Sequence, residues 1–174
     1  RRVRVASTFA AELAEIDLDQ LSPKSLGGWS AYPLGVAWAL GEFGADLSAV
    51  PGVDLFIDSD VPVGAGLSSS AAIESAVALA LTDVWRLGLD RRTLARVGQR
   101  AENVAVGAPT GIMDQSASLL GQVDHAVFLD CRTLESELVP LGLAEAGLAI
   151  LVIDTRVAHS HASGGYGERR AACE

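Results

Sequence analysis

The stretch Val61-Pro62-Val63-Gly64-Ala65-Gly66-Leu67-Ser68-Ser69-Ser70-Ala71-Ala72 sets the frame for the whole chain. It follows Gly52 to Ser59, where Val53, Leu55 and Ile57 recur at every second position as on the inner face of a strand. It runs directly into a long Ala/Val/Leu segment, so the glycines and serines fall where a strand turns into a helix. The first backbone N–H groups of a helix have no partners within it, and their dipoles sum to a partial positive charge. Gly64 and Gly66 let the backbone bend sharply and approach a ligand closely. Ser68, Ser69 and Ser70 add hydroxyls that suit phosphate oxygens or a divalent cation. One serine is enough to cap a helix. Three in succession point past a capped glycine turn to a phosphate cradle made of Gly64, Ala65, Gly66, Leu67, Ser68, Ser69 and Ser70.

Of two common phosphate loops, one is excluded and the other fits poorly. A Walker A loop needs Gly-Lys-Ser/Thr, and no lysine follows Gly66. A dinucleotide fingerprint needs Gly or Ala where Ser69 stands and an acidic residue at a strand end roughly 20 positions on, where this chain has a helix exit, Trp85 to Asp90.

Working outward, Val3 to Ala10 reads as a strand and Glu12 to Leu18 as its hairpin partner. Pro23 to Gly28 is a breaker-rich loop. From Ser30 to Phe43, Tyr32, Val36, Ala39, Leu40 and Phe43 recur at near-helical spacing, with Pro33 in the first turn. The segment Ser69 to Leu87 is apolar around most of its circumference and is expected inside the domain. Asp90 can cap a helix over Arg91 to Val106 whose apolar stripe is Leu94, Val97, Ala101 and Val104. Gly107-Ala108-Pro109-Thr110-Gly111 breaks the chain before a short helix to Leu120. Ala126 to Leu129 and Leu148 to Ile153 read as strands, separated by a hairpin or longer excursion around Thr133 to Gly147. Ser160 to Gly167 is a polar loop. Helices and strands are mixed rather than strictly alternating, which defines an α+β layered domain.

The 174 residues are enough to bury a substantial core. A formal charge of −9 argues against nucleic acid or an anionic membrane as the main partner. No apolar run reaches spanning length, and no signal-like stretch follows the charged start. Two cysteines without C-x-x-C spacing fit free thiols in a reducing cytoplasm. Alternation begins at Arg1 and helical character continues to Glu174, so a piece of a longer enzyme is expected. His125, His159 and His161 lack partners at metal-ligand spacing.

Phosphoryl transfer needs held phosphates, a cation bridging their oxygens and a group to orient or deprotonate the acceptor hydroxyl. Ser70 and Glu102 offer the oxygen donors that magnesium prefers; taken alone, Glu102 reads first as a solvated helix carboxylate. Asp114 stands at a helix start, where the dipole favours negative charge. Its alternative reading is a helix cap.

The pattern Pro-x-x-x-Gly-Leu-Ser-Ser-Ser-Ala resembles the nucleotide loop of the GHMP kinases, the family of galactokinase, homoserine kinase, mevalonate kinase and phosphomevalonate kinase. Glu102, Gly107-Ala108-Pro109-Thr110-Gly111-Ile112-Met113-Asp114-Gln115, Gly121, His125-Ala126 and Asp130-Cys131-Arg132-Thr133-Leu134-Glu135 are similar to its galactokinase branch. So are Trp29-x-x-Tyr32, Thr155-x-Val157-x-His159 and Tyr166-x-x-Arg169-Arg170-x-x-Cys173-Glu174. The resemblance implies a GHMP kinase N-terminal lobe with ribosomal-protein-S5-domain-2-like βαβ layers, spanning residues 1–174. It implies ATP and Mg2+, with Ser70 and Glu102 as the metal ligands, Asp114 as the base for the sugar's anomeric hydroxyl, and Tyr166 as a galactose contact. The implied reaction is phosphorylation of galactose at C1, with no obligate protein partner. Another GHMP small-molecule kinase and a non-catalytic sugar or nucleotide sensor are the alternatives. The family's N-terminal substrate motif and C-terminal glycine-rich motif do not occur in these residues, so the fragment alone is expected to be inactive.

Overall fold

The computed structural model describes residues 1–153 and 171–173. Strand β1 (Arg2–Ser7) turns back into β2 (Ala10–Asp17), and the chain then passes through two short 3-10 turns into helix α1 (Ala31–Glu42). Strand β3 (Val53–Ile57) returns beside β1 and parallel to it, giving the sheet order β2-β1-β3. The glycine loop leads to helix α2 (Ser69–Val84), followed by α3 (Arg91–Arg100) and α4 (Met113–Leu120). A second, two-stranded antiparallel sheet pairs β4 (His125–Leu129) with β5 (Ser136–Pro140).

The period-2 pattern of β1 explains its two faces. Val3 and Val5 are wholly buried and sit opposite Val53 and Leu55 of β3 and Ile16 and Ala14 of β2. Arg2 and Arg4 alternate outward, where Arg4 Nε donates to Asp54 at 2.7 Å and Arg2 Nε to Asp17 at 3.2 Å. These exposed pairs contribute little to stability, but like the valines they agree with a single register.

Helix α1 lies within the core, with Leu34, Val36, Ala37, Ala39 and Leu40 buried. On α2 the buried positions are Ala71, Glu74, Ser75, Val77, Ala78 and Leu81, a stripe at helical spacing, while Ala76, Leu79, Ala80 and Val84 are exposed. The all-round burial expected from its apolar composition is therefore confined to the side that meets α1, α3 and α4.

Helix α3 is capped as its sequence requires: Asp90 Oδ1 accepts from Thr93 N at 2.7 Å. The expected single helix to Val106 changes character partway, because Ala101–Val106 winds as a π-helix before Gly107 ends it at φ 82. Two glycines allow close helix approach. A Cβ on Gly35 of α1 would lie 2.7 Å from Ala105 Cβ, and one on Gly98 of α3 would lie 3.0 Å from Gln115 Cγ.

Two expectations need correction. Strand β5 falls inside the region read as a hairpin or longer excursion and pairs back on β4, but it was not itself expected as a strand; only Ser136 and Leu138 of its five residues are half-buried, too short an alternation to stand out. Leu148 to Ile153, expected to be a strand, has no regular structure and is exposed. Strand propensity needs a neighbouring ladder to satisfy its backbone, and no described strand pairs with this segment.

Candidate active site

The loop joining β3 to α2 depends on its glycines. Gly64 and Gly66 adopt φ 72 and 75, a left-handed conformation that side chains oppose. Ser68, the residue before the helix, is also left-handed at φ 54 and ψ 42, and its side chain makes no capping bond. Ser69 and Ser70 open α2, and among the described residues none of the three serine hydroxyls has a hydrogen-bond partner. Three half-buried hydroxyls and the open end of a 16-residue helix therefore stand together in the arrangement that suits an anion.

Glu102 is not a solvated carboxylate. It is 3% exposed, on the π-helical turn that follows α3. Thr110 Oγ1 donates to its Oε2 at 2.7 Å, and Gln115 Nε2 donates to the same oxygen at 2.9 Å. Thr110 is held in turn by Asn103, whose Nδ2 donates to Ala108 O at 3.0 Å, Thr110 O at 3.1 Å and Thr110 Oγ1 at 3.3 Å. The breaker run 107–111 is thus tied back to the helix before it. Both protein donors fall on Oε2, which leaves Oε1 of Glu102 free of them.

Asp114 lies in the first turn of α4, half-buried, and accepts no hydrogen bond among the described residues. The N-cap position belongs to Ile112, and no side chain caps this helix. Its reading as a cap is therefore excluded. Tyr166 and the polar loop around it lie outside the described residues.

The residues missed from sequence are Glu74 and Gln115. Glu74, four residues beyond Ser70, is 0% exposed, and Gln115 Nε2 donates to its Oε2 at 2.9 Å. Burial first, and then the charge of Glu102, push the Glu74 carboxyl up from 4.5 to about 9; the bond from Gln115 opposes this and Asp114 adds to it. Burial and the same two glutamates also raise the Tyr32 phenol. The available signal was a carboxylate on the inward stripe of an otherwise Ala/Val/Leu helix.

A cavity of about 630 Å³ lies between the start of α3, the end of α4 and the second sheet. Among its lining residues, Arg91 Nη1 donates to Leu119 O at 3.0 Å and Arg92 Nη2 to Ser136 O at 3.3 Å.

Residues 31–122, which carry the glycine loop, Glu102 and Asp114, match the GHMP kinases N terminal domain, and the chain belongs to that family. It is 53% identical to a galactokinase of Streptomyces coelicolor over 164 residues, covering 94% of this chain and 42% of that protein. A Roseiflexus galactokinase is 42% identical over 177 residues, covering 100% and 44%. Among solved structures, galactokinase of Lactococcus lactis complexed with galactose superposes with a TM-score of 0.74 at 36% identity, over 82% of this chain and 37% of that one. The chain thus spans less than half the length of these relatives. The expected N-terminal-lobe fold and the expected family agree with these matches. No described helix is long and apolar enough to cross a membrane, and Cys131 and Cys173 are free and exposed.

Proposed function

We propose that this chain is part of a galactokinase, an enzyme that transfers the γ-phosphoryl group of ATP to the C1 hydroxyl of galactose. The observation that carries the reading is the joint presence, in a chain 53% identical to a galactokinase, of the Gly64–Ser70 loop and Asp114, whose serine hydroxyls and carboxylate have no hydrogen-bond partner among the described residues.

Gly64, Ala65, Gly66, Leu67, Ser68, Ser69 and Ser70 hold the nucleotide phosphates through backbone N–H groups and hydroxyls. Asp114 accepts the proton of the C1 hydroxyl as its oxygen bonds to the γ-phosphorus. The bond from that phosphorus to the β–γ bridging oxygen breaks, and ADP leaves with the electron pair. Alternatively, Asp114 orients the hydroxyl by pairing with a cation from the remainder of the protein. Tyr166 contacts the sugar.

The donor chemistry fits magnesium. Among the described residues, the Ser70 hydroxyl and Glu102 Oε1 carry no competing protein hydrogen bond. Magnesium prefers oxygen ligands and keeps much of its shell for phosphate and water. When bound it neutralises charge on the transferring phosphate. Ser70 and Glu102 would hold it, and the bonds from Thr110 and Gln115 would fix the Glu102 carboxylate.

Galactose-dependent ADP release by the full-length protein, beside its Asp114→Asn variant, tests the reading. We expect activity in the wild type and a loss of about 10²-fold or more in the variant with nucleotide binding retained, in line with general-base contributions. Activity that survives the substitution removes Asp114 from the chemistry. A wild type that turns over a different small molecule points to another GHMP kinase, and one that binds without turnover points to a sensor.

A further inference from the structure

Glu74 takes no part in the reaction described above, yet it is the most completely enclosed carboxyl of the network. An apolar residue would fill its place at lower desolvation cost. Its side chain has one hydrogen-bond partner among the described residues, the Gln115 amide nitrogen. That nitrogen has two hydrogens. One goes to Glu74 Oε2 and the other to Glu102 Oε2, both at 2.9 Å.

The Gln115 amide is therefore a clip between two helices' carboxyls, and neither end can rotate without breaking a buried bond. Packing supports the same arrangement. Gly98 leaves the space that Gln115 fills, since a Cβ there would lie 3.0 Å from Gln115 Cγ, with Glu74 in contact beyond it at 3.5 Å. With Gln115 and Thr110 both on Oε2, the rotation of the Glu102 carboxylate is set and Oε1 is the oxygen that remains.

We propose that Glu74 is a positioning residue of the phosphoryl-transfer site: through the Gln115 amide it sets which oxygen of Glu102 is presented to the cation that accompanies the nucleotide. This rests on the assignment of Glu102 as a cation ligand. Gln115 directly follows Asp114, so the same clip also anchors the first turn of α4. Groups one step removed from a ligand govern metal affinity by fixing its orientation, and their loss typically weakens it 10- to 100-fold.

The test is a titration of Mn2+ with ADP on the full-length protein, following free Mn2+ by electron paramagnetic resonance, with thermal unfolding run alongside. Glu74→Met keeps the side-chain length and removes the acceptor. It is expected to weaken Mn2+–ADP binding about tenfold and to raise the half-saturating Mg2+ for ADP release, with the galactose KM within about twofold of wild type. Glu74→Gln retains an oxygen for the Gln115 amide and recovers most of the affinity. Should Glu74→Met fail to fold, Gln115→Met removes the clip from its other end and carries the same expectation.

A folded Glu74→Met protein that binds Mn2+–ADP as wild type overturns the proposal, as does a Glu74→Gln protein impaired as much as Glu74→Met. Wild-type protein that binds Mn2+–ADP but does not phosphorylate galactose overturns the sugar assignment alone, and the Mn2+ titration still decides the role of Glu74. Wild-type protein that binds no Mn2+–ADP overturns both.

Discussion

Single residues decide the electrostatics of this site. Folding raises the Glu74 carboxyl from 4.5 to about 9, so between those values the folded chain holds a proton that the unfolded chain has released. The stability this group contributes is fully present below about pH 4.5 and is lost as pH rises towards 9. Glu74→Gln has no proton to lose. The melting temperature of the wild type should therefore fall relative to that of Glu74→Gln as pH is raised from roughly 5 to 9. A constant difference across that range, measured by calorimetry without nucleotide or cation, would show that Glu74 is not held protonated. The burial of Glu102, whose helix stripe alone left it a solvated carboxylate, belongs to the same scale.

At the scale of elements, two glycines illustrate different uses of a missing Cβ. Gly66 stands at φ 75 with nothing within 4 Å of where a Cβ would be, so Gly66→Ala costs backbone strain alone, about 1–2 kcal/mol. The open loop should relax away from its cradle shape and so shed most of that strain, raising the KM for ATP several-fold while the melting temperature falls less than in Gly98→Ala. Gly98→Ala places a methyl 3.0 Å from Gln115 Cγ and displaces the clip, which should lower stability by about 1–3 kcal/mol. Steady-state kinetics and thermal melts of the two variants separate these effects; equal losses in both readouts would refute the distinction. The π-helical turn after α3 explains why an unbroken helix to Val106 was not obtained. Its wider winding sits where Glu102 meets Thr110 and Gln115, and π-turns recur at functional sites.

The whole molecule leaves an apolar surface in view. Leu148, Ile150, Leu151, Val152 and Ile153 are 62–81% exposed, a run with high strand propensity and no charge. Contiguous apolar surface of this kind drives association. Residues 1–174 produced alone should grow in size with concentration by light scattering, and Ile150→Lys should suppress that growth. A concentration-independent monomer would show that the patch is closed in solution. The same fragment should release no ADP in response to galactose, and galactose-dependent release by it would show that these residues carry a complete site.

Local patterns in the chain were sufficient for much of this. The alternation of Val3 and Val5 and of Val53, Leu55 and Ile57, the cap at Asp90, and the glycine–serine junction before α2 depend on residues close in sequence. Steric and hydrogen-bonding rules act at that range, so α1 to α4 and β1 to β4 fall where those patterns put them. The positions of the glycine–serine loop and of Asp114 were legible for the same reason, since each lies at a helix start marked by its own neighbours. Only the tertiary structure could decide what surrounds a side chain. Glu74 and Gln115 are 41 positions apart, and Glu74 and Glu102 approach a common amide from different elements. Burial and charge proximity are set by helix packing at such separations; they push the Glu74 carboxyl up and hold the Glu102 carboxylate in one orientation. Leu148 to Ile153 marks the same limit from the other side: its composition favours a strand, but a strand forms only where another backbone completes its ladder.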